Sequence, residues 1–312
     1  MIKFYKHSEI NKTKWNDCIS HAVCSSIFAD YDLLSIASPQ WDALIADDYT
    51  AVMPLPWKKK WNISYIYTPF FFSRLGIFSL TTLTAQQVSD FVSAIPRRFV
   101  RVELNLKEDN LEQLISDKVI WHISHQLSLS SSYEEIRSRY ATNLKRNIKA
   151  ARQQLLTIDT HAPVSEIIHL FKCNRGKDRK IKIKDVHYGF FLQMVEMLQK
   201  KQQVDVWGIR TEDGTLIAGA CFLKDFQRTW YWFSGRDEKY NQQRALFRLV
   251  DAYIEAHANQ SIFLDFNGSL DPNTARFYRE FGSTKYIFPL LNYSRYAWCT
   301  PLLKLYQTLK FR

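Results

Sequence analysis

Two kinds of residue in this sequence are placed to do chemistry: a carboxylate set among apolar neighbours and a dense run of cations. Asp265 alternates with Leu264 and Phe266 in SIFLDF (261–266), a pattern that carries it inward on a strand. A carboxylate in that position either finds an ion-pair partner or has its pKa raised by burial. It can position an ammonium, receive its proton, or hold the turn that follows. That turn is NGS (267–269), in which Asn267 either binds an acceptor or serves the turn itself. The cations lie in RSRYATNLKRNIKAAR (137–152) and KCNRGKDRKIKIK (172–184), and residues 137–184 hold 13 Lys+Arg against 3 Asp+Glu. Such clustering draws phosphate, whether on a nucleotide, a coenzyme, tRNA or a membrane surface. Lys145, Arg146 and Arg175 are the candidates for holding an anionic acceptor, against the plainer reading of a solvated helix face and loop.

Weaker candidates surround these. Lys58, Lys59 and Lys60 sit in a KKKW turn (58–61), where lysines commonly serve solubility. His122 and His125 in WHISH point to opposite faces of a strand, which is poor geometry for a metal, and no zinc spacing is found, so no metal is expected. Five scattered cysteines without a C-x-x-C pair read as reduced thiols of a cytoplasmic protein. The opening MIKFYKHSEINK has no apolar secretion core, and the longest apolar run, SYIYTPFFF (64–72), is too short for a transmembrane helix.

The elements that must position these residues follow from periodicity. The chain has 312 residues, 46% of them hydrophobic, which excludes disorder and suggests about two domains. The net charge of +11 belongs to the second half alone: residues 1–130 hold 13 basic and 13 acidic residues, residues 131–312 hold 29 and 18. Helices are predicted near 11–21 and 30–37, then strands at 41–47, 49–57 and 62–72. A helix at 84–95 capped by Thr84 follows, then strands at 97–106 and 119–129. SSSYEEI (130–136) marks a boundary, after which one long helix is expected through about residue 153 and a strand at 155–159. Helices at 163–172 and 185–201 flank the basic loop. A meander follows at 204–210, 215–223 and 229–235, its first hairpin signalled by TEDG (211–214). A helix at 242–258, the strand at 261–266, a short helix at 274–281 and a strand at 284–291 complete the order. The pattern is α+β. The predicted division is 1–132, 133–295 and a tail, 296–312, whose TPLLKLYQTLKF reads as a short amphipathic helix docked on the domain surface.

The order of elements in residues 204–291 resembles the catalytic half of the GNAT N-acyltransferase superfamily. ARFYREFGS (275–283) is similar to its late helix motif A-x-x-F-Y-x-x-x-G-F, with Ser283 where an aromatic is usual. LDFNGSLDPNTARFYREFGS (264–283) and NLKRNIKAAR (143–152) are similar to the Fem-type branch, the peptidoglycan-bridge aminoacyltransferases. The resemblance implies tandem GNAT-like domains, each a mixed, mostly antiparallel sheet flanked by helices, with residues 1–132 as a degenerate first copy. It implies a cleft where the third and fourth strands of the meander splay. TWYWFSG (229–235) then presents backbone N–H groups to the donor carbonyl, Tyr278 protonates the departing thiolate, and Trp232 meets substrate. The implied donor site comprises Phe233, Ser234, Gly235, Arg236, Gln242, Gln243, Arg244 and Ala245, with acyl-CoA as donor.

Two departures divide the functional reading. The coenzyme loop (Q/R)-x-x-G-x-(G/A) is represented by YNQQRA (240–245), in which only Ala245 agrees. Fem-type enzymes also lack that loop and take the acyl group from aminoacyl-tRNA, but they tend to carry a lysine where this chain has Tyr278. The leading expectation is an N-acyltransferase moving an acyl group from acyl-CoA to an amine of a small or envelope-related acceptor. The alternatives are a tRNA-dependent aminoacyltransferase and a non-catalytic GNAT-like binding module. DNA is not an expected partner.

Overall fold

A computed structural model of the chain describes residues 1–60, 62–107, 118–177, 183–268 and 271–296. The expected tail helix and Cys299 lie outside the described residues. The chain divides into two compact units, one of Met1–His122 together with the segment from Ile287, the other of Ile123–Tyr286.

The first unit contains β1 (Ile2–Tyr5), α1 (Lys12–His21), α2 (Tyr31–Ala37), β2 (Trp41–Ala46), β3 (Ala51–Lys60), β4 (Ile63–Tyr67), β5 (Phe78–Ser79), α3 (Ala85–Ala94) and β6 (Phe99–Asn105). The sheet runs β1–β2–β3–β4–β6, then Leu290–Ser294 of the last strand; β4 is parallel to β6, the other pairings are antiparallel, and β5 lies against β3. Thr84 forms the expected cap of α3, exchanging hydrogen bonds with Gln87. Two strand readings need correction. Lys58–Lys60 belong to β3, paired with Ile63–Tyr65, so these lysines are strand residues and not the turn. Just before β4, Asn62 takes a left-handed backbone, φ 65°. At the far end β4 stops at Tyr67, because Pro69 has no amide to give a ladder.

The second unit carries β7 (Val119–Ser128, from Ile123 onward), α4 (Tyr133–Ser138), α5 (Thr142–Arg152), β8 (Leu156–Asp159), α6 (Val164–Cys173) and α7 (Asp185–Lys200). The meander is β9 (Val204–Thr211), β10 (Leu216–Asp225) and β11 (Arg228–Arg236), followed by α8 (Ala245–Ala256), β12 (Phe263–Asp265), α9 (Pro272–Glu280) and β13 (Thr284–Ser294). Its strand order is β7–β12–β11–β10–β9–β8, with β11 and β12 parallel and the rest antiparallel.

Alternation along β10 sends Ala218, Ala220 and Phe222 into a core with α5 and α8, where Phe222 stacks on Tyr253 at 3.6 Å. Arg152 ties this face together: it reaches the fully buried Asp251 at 3.0 Å, beside the Tyr133 hydroxyl at 2.8 Å from the same carboxylate. One cation of the basic run is therefore structural. The other face is taken by α6, which lies directly on two glycines. A Cβ at Gly235 would fall 2.4 Å from the Ile167 carbonyl oxygen, and one at Gly219 would fall 2.5 Å from the Ile167 side chain.

The single long helix expected through about residue 153 is two. Residues 139–141 break it: Ala141 is extended (ψ 146°) and its amide donates to the Glu280 carbonyl at 2.9 Å. Gly282, at φ +73° after α9, brings its backbone against Arg139, where a Cβ would meet Arg139 at 3.0 Å. The end of α9 thus competes with helix continuation and wins.

Because α6 backbone occupies the space of a side chain at residue 235, Gly235→Ala should destabilise the chain by about 1–3 kcal/mol, measured as a lower urea midpoint at unchanged slope.

Candidate active site

Strand β11 is longer than its partner. It pairs with β12 only from Arg228 to Trp230, opposite Phe263 to Asp265, and then continues alone on that side to Arg236. Beyond the parting lies a cavity of about 720 Å³ within the second unit.

Asp265 stands at the parting and is fully buried. Its carboxylate accepts from the Arg228 guanidinium, the Tyr286 hydroxyl, the Ser124 hydroxyl (3.2 Å) and the Asn267 amide (2.8 Å). Asp265 is therefore an ion-paired, turn-holding carboxylate and is not part of the cavity wall. The bond to the Asn267 amide turns the chain out of the sheet, and Asn267 and Gly268 follow in left-handed conformation, φ 62° and 68°.

A bulge then re-aims β11. Phe233 is opposite Cys221 and Tyr231 is opposite Phe222, so Trp232 is the extra residue. In a regular strand Tyr231 and Phe233, two apart, would share a face. With the extra residue, Phe233 packs on Phe171 (4.8 Å) and Phe191 (4.9 Å), while Tyr231 faces Phe266 (6.1 Å) and Tyr278 (6.2 Å). Past the bulge the ladder is regular. The Asp237 amide donates to the Ile217 carbonyl at 2.8 Å, and alternation from that bond turns the Ser234 amide away from β10, toward the unpaired side.

The opposite wall is α9, started by Asp271 as N-cap and Pro272 in its first turn. Tyr278 lines the cavity with only 7% of its surface exposed, its ring stacked on Phe266 at 4.8 Å. Burial, with Tyr231 close by, pushes its phenol well above the ordinary range, so it stays protonated at any working pH. Tyr231 is raised by the same cause, and its hydroxyl is buried without a hydrogen-bond partner of normal geometry among the described residues.

At the mouth the helix expected from residue 242 begins as a 3₁₀ turn, Glu238–Gln243, and α8 starts only after Arg244. Arg244 holds φ 55°, a conformation that glycine takes freely and that costs other residues about 1–2 kcal/mol. The Phe247 amide donates to the Arg244 carbonyl at 3.0 Å, which leaves the Ala245 and Leu246 amides as the open donors of the helix start. Arg236 and Arg244 add guanidinium groups to this rim. Helix start and guanidinium groups together make a place for a phosphate.

Of the residues singled out in the sequence, the cavity brings together Tyr278, Asn267, Trp232, Phe233, Ser234, Gly235, Arg236, Arg244 and Arg175. Asp265, Gln242, Gln243, Ala245, Lys145 and Arg146 do not line it. The Lys145 ammonium caps the Ser138 carbonyl at 2.8 Å, and Arg146 reaches the Asn143 side chain at 3.3 Å. Residues 178–182 of the second basic block lie outside the described residues. Unforeseen wall residues are Tyr231, Asn143, Asn147, Asp271 and Glu280. Asn143 and Asn147, four apart on one helix face, were readable as a pair; Tyr231 was not, because the bulge that turns it has no sequence signature. Among the described residues no group of His, Cys, Asp and Glu could hold a metal ion, and no helix is long and apolar enough to cross a membrane.

Residues 138–272 match the family model for the acetyltransferase (GNAT) domain. This segment therefore resembles a GNAT domain. The architecture around it has solved counterparts. FemX aligns over 96% of this chain and 98% of its own, at TM-score 0.64 and 11% identity. L-PGS from Bacillus licheniformis aligns over 97% and 98%, at 0.56 and 8%. The C-terminal DUF2156 domain of a protein named as a lysylphosphatidylglycerol synthetase, from Agrobacterium fabrum, aligns over 90% and 91%, at 0.57 and 9%. At these identities the likeness is one of fold. No curated protein matches the chain in sequence.

The Arg228 guanidinium is ion-paired with the buried Asp265 carboxylate. Arg228→Met should therefore cost about 3–5 kcal/mol, read by chemical denaturation.

Proposed function

We propose that the protein is an N-acyltransferase that carries an acyl group from acyl-CoA to an amine inside the cavity of the second unit, with the first unit as a degenerate copy of the same fold. The observation that carries this reading is the parting of β11 from β12, with the Ser234 amide turned to one side of the opening and Tyr278 on the other. In the proposed reaction the amine nitrogen attacks the thioester carbonyl, a C–N bond forms and the C–S bond breaks. The Ser234 amide donates to the oxyanion. The Tyr278 phenol donates to the leaving sulfur, which ends as a thiol; the nitrogen loses its proton to solvent, and solvent returns one to the phenolate. The pyrophosphate of the donor would rest at the start of α8, by Leu246, between Arg236 and Arg244.

A second reading, transfer from aminoacyl-tRNA, draws support from one observation. The loop that would need glycine for close approach to a pyrophosphate has Gln243 and Arg244, and the Gln243 amide oxygen is buried there. The likeness to FemX and to proteins named for lysylphosphatidylglycerol synthesis agrees with an aminoacyl donor and an envelope-related acceptor.

Tyr278→Phe should lower turnover by about 10²-fold or more while leaving donor affinity within about twofold; unchanged turnover would remove the assigned acid. Calorimetry separates the donors. CoA binding with indifference to charged tRNA supports the first reading, whereas salt-dependent tRNA binding without CoA binding supports the second.

A further inference from the structure

Glu280 ends α9, and its side chain lines the cavity while only 11% exposed. Its two carboxylate oxygens are unequal. Oε1 accepts from the Asn143 side-chain amide at 3.0 Å, and the Arg276 Nε lies 4.0 Å from it on a side chain 70% exposed, beyond hydrogen-bond reach. Oε2 is buried and has no hydrogen-bond partner among the described residues. The other acidic wall residue, Asp271, is already engaged by Arg175 (2.8 Å), the Asn273 amide (2.9 Å) and the Thr274 hydroxyl (3.0 Å). A shielded carboxylate oxygen without a donor is costly, and a ligand bringing a charged N–H removes that cost.

Resting on the acyl-transfer reading of this cavity, we propose that Glu280 is the seat of a primary ammonium group, held by its free Oε2 while Asn143 fixes Oε1. The chemistry selects ammonium over guanidinium. With one oxygen occupied, the two-pronged fork of a guanidinium has no matching pair of acceptors, whereas an ammonium needs a single point. The position at the C-terminal end of a helix adds the negative end of the α9 dipole to the attraction. The ammonium has two sources in the proposed reaction: the acceptor's amine before it loses its proton, or the α-ammonium of an aminoacyl group.

The test is binding to the full chain by ligand-observed NMR. The probes are L-alaninamide for the α-ammonium, Nα-acetyl-L-lysinamide for an acceptor side-chain amine, and uncharged N-acetyl-L-alaninamide as control. At least one ammonium probe should bind wild type above the control, and Glu280→Gln should weaken it about tenfold with the thermal midpoint held; the probe that responds identifies the source. Glu280→Ala is the second variant should the first fail to fold. Equal binding to wild type and variant, or no ammonium probe above the control, overturns the assignment. Failure of the acyl-transfer reading registers separately, as absence of wild-type turnover with thioester and aminoacyl donors.

Discussion

Where β12 stops determines what the second unit can hold, and a buried carboxylate makes it stop. Asp265 sits where a charge is affordable only if it is fully engaged, and four donors engage it. Three of them come from side chains of β7, β11 and β13, so the end of β12 is fixed to its surroundings rather than frayed. The fourth, the amide two residues on, bends the chain out of the sheet. Neighbouring strands then part because one has nowhere further to go. The cavity is the space left over, and a longer β12 would fill it with a ladder.

The walls answer to the same economy of backbone. α6 approaches β11 at glycine distance, α9 is stopped by a left-handed glycine, and its last carbonyl takes the amide that interrupts the helix between α4 and α5. That interruption brings Asn143 into the first turn of α5, within reach of Glu280. A polar wall of the cavity thus depends on a contact between two helix ends some 140 residues apart in sequence.

Much of this was legible from residue order. Alternation located the meander, Thr84 announced its helix, and the spacing of Phe277, Tyr278 and Gly282 pointed to the late helix of a GNAT protein. What escaped detection depends on non-local geometry. Nothing in WYWFS says that Trp232 is an extra residue, since bulges are set by the facing strand. The break at residues 139–141 has no proline or glycine, only a better partner for the Ala141 amide elsewhere. Asp265 was read with its alternatives open because its partners are spread over residues 124, 228, 267 and 286. The lysines of β3 were misplaced because charge suggested a turn, while an edge of hydrogen bonds was still available to them.

The bulge at Trp232 gives β11 two phases. Before it, odd-numbered side chains look toward α8 and α9; after it, odd-numbered ones look toward α6. Substituting Trp232 would alter one surface, whereas excising it would close the bulge and leave Tyr231, Phe233 and Ser234 opposite the partners they have now, Phe222, Cys221 and Ala220. The strand therefore holds one residue in reserve, and a shortening by that residue would still present Ser234 to the opening.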